Sequence, residues 1–146
     1  MSLPPMLYYA VGVVAGCVLG SIWPLPIPGD ALVPVVGALW IAAGGALAAW
    51  GVVAFRRAST TFNPFGGTTA IVAAGPYRYT RNPMYLGAAS IQIGLGLVLR
   101  EAWVLLMLPP VLAIVDLYVI RREETYLERK YGEAWTDYAG RVRRWL

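Results

Sequence analysis

The chain contains no histidine, and cysteine occurs once, as Cys17. Without histidine there is no imidazole to act as a general base. With one thiol the common ligand sets for zinc, copper and haem are missing, so no metal site is expected and an intramolecular disulfide is excluded. Charge is scarce as well. Only 14% of the 146 residues are charged, against about 25% in an ordinary soluble domain, while 58% are hydrophobic and the mean hydropathy is +0.58. Lysine is almost missing: of the 12 basic residues all but Lys130 are arginine, and 8 acidic residues leave a net charge of +4. In a chain this apolar a basic excess points to a membrane surface rather than to nucleic acid.

What remains is long apolar runs. Residues 7–23, 31–55 and 84–99 are free of charge, and 102–120 carries only Asp116. About 20 apolar residues cross the hydrocarbon core, with a lower limit near 17. The expectation is therefore an all-α, polytopic membrane helix bundle of about four transmembrane helices in a single domain. The run 84–99 is short, and with 102–120 it would alternatively form a shallow hairpin. Leu7 to Trp23 is read as a permanent helix, not a signal peptide, because Met1 to Met6 has no basic residue and Pro24, Pro26 and Pro28 follow. Cys17 lies inside this span with no base or cation beside it and is read as packing.

Arginine placement orients the bundle, since basic residues near helix ends resist translocation. Four spans put the N-terminus, the loop 56–83 and the tail from Arg121 on one side, together with every basic residue except Arg100. Both termini are thus expected to be cytoplasmic, in the inner membrane if the source is bacterial. Gly12, Gly16 and Gly20 form a small-residue stripe on the first span, and Gly37, Gly44 and Gly51 form another on the second. Such stripes let helices approach closely, either within the bundle or in a homodimer. Pro109 and Pro110 should kink the fourth span.

Polar chemistry collects in two segments. The first, between the second and third spans, is RRASTTFNPFGGTTAIVAAGPYRYTRNPMYLG. It is too long for a bare connection, and Phe62, Phe65, Tyr77 and Tyr79 give it material to fold against the bundle mouth, with a turn at Asn63–Pro64. Pro83 is placed to open the third helix. That puts Arg81 and Asn82 at a helix N-terminus, which favours an anionic ligand group, with Tyr85 in the first turn. The second segment, RREETYLERKYGEAWTDYAGRVRRWL, places Leu127, Tyr131, Ala134, Trp135 and Tyr138 on one helical face. A C-terminal amphipathic interfacial helix over 121–139 is expected, able to roof a pocket. Asp116 and Glu123, seven residues apart, should share a face; Asp116 either serves a site, as intramembrane carboxylates do, or pairs with Arg121 or Arg122. Trp23, Trp103, Trp135 and Trp145 are read as interfacial anchors.

Together, GPYRYTRNPMYLG and EETYLERKYGEAWTDYAGRVRRW resemble the C-terminal core of the isoprenylcysteine carboxyl methyltransferase and phospholipid methyltransferase family of integral membrane enzymes. The resemblance runs from about Asn63 to Trp145 and rests on an R-x-P-x-Y-x-G box, two adjacent glutamates, and Y-G with a spaced W/Y-x-x-Y. It implies S-adenosylmethionine-dependent methyl transfer to a membrane-embedded or lipophilic acceptor such as a prenylcysteine-like carboxylate or a lipid amine. It carries Arg81, Asn82, Tyr85, Glu123, Glu124 and Tyr138 over as cofactor-binding residues, with Tyr85 and Glu123 also catalytic. The cofactor presents a carboxylate, an ammonium, a ribose, an adenine and a sulfonium. Arg81 suits the carboxylate, Glu123 or Glu124 the ammonium or the ribose hydroxyls, and Tyr85 the sulfonium.

One position departs from the pattern. Prenylcysteine enzymes commonly have histidine where this chain has Asn82, and asparagine takes no proton at neutral pH. A carboxylate or thiolate acceptor needs none removed; an amine acceptor would rely on Glu123, Glu124, Asp116 or a tyrosine. The competing class is a non-catalytic membrane scaffold or lipid-binding subunit. A membrane sterol or enone reductase ranks below both, because no dinucleotide-binding glycine fingerprint follows a strand.

Overall fold

The computed structural model describes residues 4–58 and 71–146. Regular structure among them is helical: α1 (Pro5–Ile22), α2 (Leu32–Ala58), α3 (Pro83–Val98), α4 (Ala102–Tyr131) and α5 (Glu133–Arg141), with a 3₁₀ turn at Gly75–Arg78 ahead of α3. The turn expected at Asn63–Pro64 and the packing expected of Phe62 and Phe65 lie outside the described residues. Helices α1, α2 and α4 have 18, 27 and 30 residues and are long and apolar enough to cross a membrane; α3, also apolar, has 16. Their outward faces carry Val11, Val14, Val18, Leu39, Trp40, Leu117 and Tyr118. Apolar residues facing outward, with glycine buried inside, are the pattern of a bundle solvated by lipid. The chain is an all-α, membrane-type helical bundle.

Glycine decides which helices touch. A β-carbon on Gly44 would stand 2.6 Å from the Gly87 carbonyl oxygen, and one on Gly37 would stand 2.7 Å from that of Gly94. Backbones of α2 and α3 therefore meet with no side chain between them. On α1, a β-carbon at Gly16 would lie 2.6 Å from the Cα of Val104, and one at Gly12 would lie 2.6 Å from a Val111 methyl. Both stripes are thus consumed inside the chain. Of the two contacts such stripes allow, within the bundle or in a homodimer, the described residues make the internal one.

At the end opposite the polar segments, the α1–α2 connection is laced to the α3–α4 turn. Ile27 N–H donates to the Arg100 carbonyl (2.9 Å), Ala102 N–H to Leu25 (3.0 Å), and Trp103 Nε1 to Trp23 (2.7 Å). Arg100, in a left-handed conformation with φ of 55°, also reaches the carbonyls of Ile27 and Gly29.

Helix α4 is not uniform. Its first turn closes at Leu106, and a new helical stretch starts at Leu108 with Pro109 and Pro110 in its first turn. The interruption thus precedes the prolines, whose missing N–H groups are tolerated at a helix start. Gln92, 1% exposed, donates to the Val104 carbonyl at 3.0 Å in the turn ahead of that break. Val115–Ile120 is then wound as a π-helix before α-geometry resumes at Arg121. The helix continues to Tyr131. Where one interfacial helix was expected over 121–139, Gly132 with φ of 54° divides the segment: 121–131 extends α4, and α5 starts afresh at Glu133.

Candidate functional site

The two polar segments meet at one end of the bundle around a cavity of ≈ 390 Å³. Its walls come from α2 (Phe55), the 3₁₀ turn (Tyr77), the start of α3 (Arg81 to Tyr85), α4 (Ile120, Glu123, Glu124, Tyr126, Leu127) and α5 (Trp135, Tyr138). All six candidate site residues border it.

Pro83 occupies the first turn of α3, as its fixed φ favours. One turn in, Tyr85 is buried, and its hydroxyl donates to both carboxylate oxygens of Glu123, at 3.0 and 3.1 Å. Glu123 is an exposed residue at the cavity, and the Tyr85 hydroxyl is its single protein donor among the described residues.

Glu124 is bound quite differently. Arg144 clamps it with two bonds, Nε to Oε1 at 3.1 Å and Nη2 to Oε2 at 2.6 Å, while Arg81 Nη1 approaches Oε1 at 3.1 Å. Two guanidiniums thus neutralise a carboxylate whose side chain is 15% exposed. Adjacent in sequence and identical in type, the two glutamates divide into one open to the cavity and one saturated by arginine.

Arg81 is held from several directions. Its backbone N–H donates to the Arg143 carbonyl (2.9 Å), its guanidinium lies 5.8 Å from the centre of the Trp135 ring, and its buried Nε has no hydrogen-bond partner among the described residues. Asn82 precedes α3 but does not cap it. Its Nδ2 donates to the Arg144 carbonyl at 3.0 Å, beside the Thr80 hydroxyl at 3.2 Å. The Asn82 side chain therefore fastens the C-terminal segment. The Tyr138 hydroxyl donates to the Tyr77 carbonyl at 2.8 Å. Burial pushes the phenols of Tyr77 and Tyr138 up to about 12, reinforced at Tyr77 by the Glu123 charge and opposed at Tyr138 by Arg81. Both are neutral at any physiological pH.

Asp116 does not join Glu123. Seven residues make two turns of α-helix, but these seven cross the wider π-wound stretch, and the shared face is lost. Asp116 instead pairs with Arg121 (3.1 Å) and Arg144 (3.4 Å) and accepts from Trp145 Nε1 (3.3 Å). The local ion pair weighed from the sequence is present, and Asp116 is absent from the cavity wall.

Two tryptophans read as interfacial anchors have other places. Trp135 is buried on the cavity wall with Arg81 over its ring, and Trp145 packs against the apolar cluster of Tyr9, Tyr85, Val115 and Val119. The functional residue that sequence reasoning missed is Arg144. The run RVRRW held the signal in its three arginines, but nothing there ranked one above the others. Among the described residues, no group of acidic and cysteine side chains could hold a metal ion.

Residues 32–134 match the phospholipid methyltransferase family, from the start of α2 to the first turn of α5. An uncharacterized protein of Haemophilus influenzae is 36% identical over 63 residues, which are 43% of this chain and 100% of that relative. No solved structure matches the chain. With the matched region containing α2, the 3₁₀ turn, α3 and α4, and so most of the cavity wall, the chain belongs to the phospholipid methyltransferase family, a family of membrane methyltransferases.

Proposed function

We propose that the chain transfers a methyl group from S-adenosylmethionine to a lipophilic acceptor inside this cavity. The observation that carries the reading is the convergence of both motif halves on one cavity, with a cation on its wall and, among the described residues, a carboxylate that has no cationic partner. The residues fit the cofactor. A cavity of ≈ 390 Å³ lies within the range of about 300–1,000 Å³ typical of small-molecule sites. Arg81 offers a buried N–H without a partner among the described residues, suited to a carboxylate, and Trp135, Tyr126 and Tyr77 offer aromatic walls.

S-adenosylmethionine, when bound, supplies an electrophilic methyl group on a sulfonium. Arg81 would hold its carboxylate, and the Glu124 carboxylate keeps that guanidinium in place. Glu123 would take the ammonium or the ribose hydroxyls, since Glu124 has both oxygens committed to arginine. The Tyr85 hydroxyl orients Glu123, and its ring would offer a π-face to the sulfonium. Asn82 and Tyr138 shape the cofactor end by fastening the tail and the 3₁₀ turn. A carboxylate or thiolate acceptor needs only desolvation and alignment; for an amine, Glu123 is the carboxylate at the cavity with a lone pair free to receive the proton. The acceptor enters from the lipid between α2 and α4, where Phe55 and Tyr126 are both exposed and both line the cavity. With the arginine-rich end cytoplasmic, the cofactor arrives from the aqueous side.

Calorimetric titration of S-adenosylmethionine and S-adenosylhomocysteine into detergent-purified protein tests this reading, with Arg81→Ala and Glu123→Ala beside wild type. Saturable binding, weakened at least about ten-fold by each substitution, is the expected result. No binding to folded, lipid-supplemented protein would overturn the proposal in favour of a non-catalytic membrane protein.

A further inference from the structure

The outward face of α4 changes character at one residue. Its exposed positions recur three and four apart through Ala113, Ile114, Leu117, Tyr118, Arg121, Arg122, Thr125, Tyr126 and Arg129. Up to Tyr118 this stripe is lipid-facing hydrocarbon and aromatic surface. From Arg121 the same face is basic, and there Arg121, Arg122, Thr125, Tyr126 and Arg129 line a groove of ≈ 390 Å³ distinct from the cavity. Because the stripe is continuous, the guanidiniums follow directly on the apolar surface of the span and reach headgroup level, where long basic side chains extend from the hydrocarbon edge.

The charges in the groove are uneven. Arg121 is paired with Asp116 at 3.1 Å. Arg122 and Arg129 form no ion pair or hydrogen bond among the described residues, and no carboxylate lines the groove. Lys130 stands at its border, donating to the Tyr126 hydroxyl at 3.3 Å. We infer that this groove binds the phosphodiester of an anionic membrane phospholipid. Two unpaired planar forks complement phosphate oxygens, and the wall has no carboxylate to pair with the ammonium of a zwitterionic headgroup. The inference is independent of methyl transfer, since Arg122 and Arg129 do not line the cavity. Tyr126, which borders both spaces, brings the bound lipid beside the cavity mouth.

Native mass spectrometry of the full chain in detergent, titrated with phosphatidylglycerol or phosphatidylcholine, tests it. Phosphatidylglycerol is expected to be retained preferentially, and Arg122→Gln/Arg129→Gln to lower its affinity about 25-fold, about five-fold for each charge, with phosphatidylcholine retention and the melting midpoint unchanged. The control Arg56→Gln/Arg78→Gln removes equal charge from the same end of the bundle and should leave the preference intact. Equal retention of the two lipids by wild type, or equal loss in the control, would overturn the inference. So would displacement of phosphatidylglycerol by millimolar inorganic phosphate, which would make the groove a site for free anions.

Discussion

Replacing Arg144 by alanine removes a side chain that joins α4 to the tail through Glu124 and Asp116 without altering the backbone contacts of residue 144, whose carbonyl still accepts from Thr80 and Asn82. A hydrogen bond to a charged group contributes about 1.5–3 kcal/mol, whereas exposed ion pairs contribute about 0–1 kcal/mol. Arg144 lies between these cases: its clamp on Glu124 has two bonds, at 3.1 and 2.6 Å, but its side chain is 32% exposed. Arg81 also stays behind to neutralise Glu124 in part. A loss of about 2 kcal/mol follows, roughly a 30-fold change in the folded-to-unfolded ratio. Reversible denaturation in mixed detergent, followed by tryptophan fluorescence, measures it. The milder change Arg144→Lys should recover less than half, because an ammonium cannot reproduce the two-pronged geometry. Crossed with Glu124→Gln, the alanine change should show a coupling above about 1 kcal/mol; additivity within about 0.5 kcal/mol would refute the claim that the clamp acts through Glu124.

Three further outcomes are expected. Tyr85→Phe removes the donor to Glu123 while keeping the ring, so methyl transfer should fall about 10- to 100-fold with cofactor affinity within a few-fold; unchanged turnover would remove Tyr85 from the chemistry. Gly44→Leu drives a side chain into the Gly87 carbonyl, 2.6 Å from the first added carbon, and should cost about 3 kcal/mol or more, read as loss of monodisperse protein in size-exclusion chromatography. Alkali gives the last. Tyr77 and Tyr138 rise from 10.0 to about 12 on folding, so their stabilisation is full below pH 10 and is lost as the pH climbs through 12. Tyr138→Phe should flatten that part of the stability profile and lower stability at pH 7 by about 1–2 kcal/mol through the unpaired Tyr77 carbonyl.

The apolar runs located the helices because about 20 uncharged residues have few other fates, and Pro83 marked the start of α3 to the residue. The box and the paired glutamates identified which segments meet, and Tyr85 and Glu123 do touch. Other features were not legible because they depend on winding and on distant partners. Seven-residue spacing put Asp116 beside Glu123 only for a uniform α-helix, and the π-turn at Val115–Ile120 undoes it. The different fates of Glu123 and Glu124 are set by Arg144, 20 positions beyond Glu124. Trp135 and Trp145 have the composition of surface anchors, yet an arginine and a carboxylate, respectively, give them inward places.

The brevity of α3 has a consequence for the bundle itself. At 1.5 Å per residue its 16 residues rise about 24 Å, some 6 Å less than a typical hydrocarbon thickness of about 30 Å. The longer α2 beside it carries no such deficit. Within Pro83–Val98 only Val98 is exposed, so the short helix is walled by its neighbours and not by lipid. Gly51 of α2 stands level with Pro83 and Met84, so Phe55 of α2 and Tyr126 and Leu127 of α4 project past the start of α3 and wall the cavity; the length that α3 lacks is the space the site occupies.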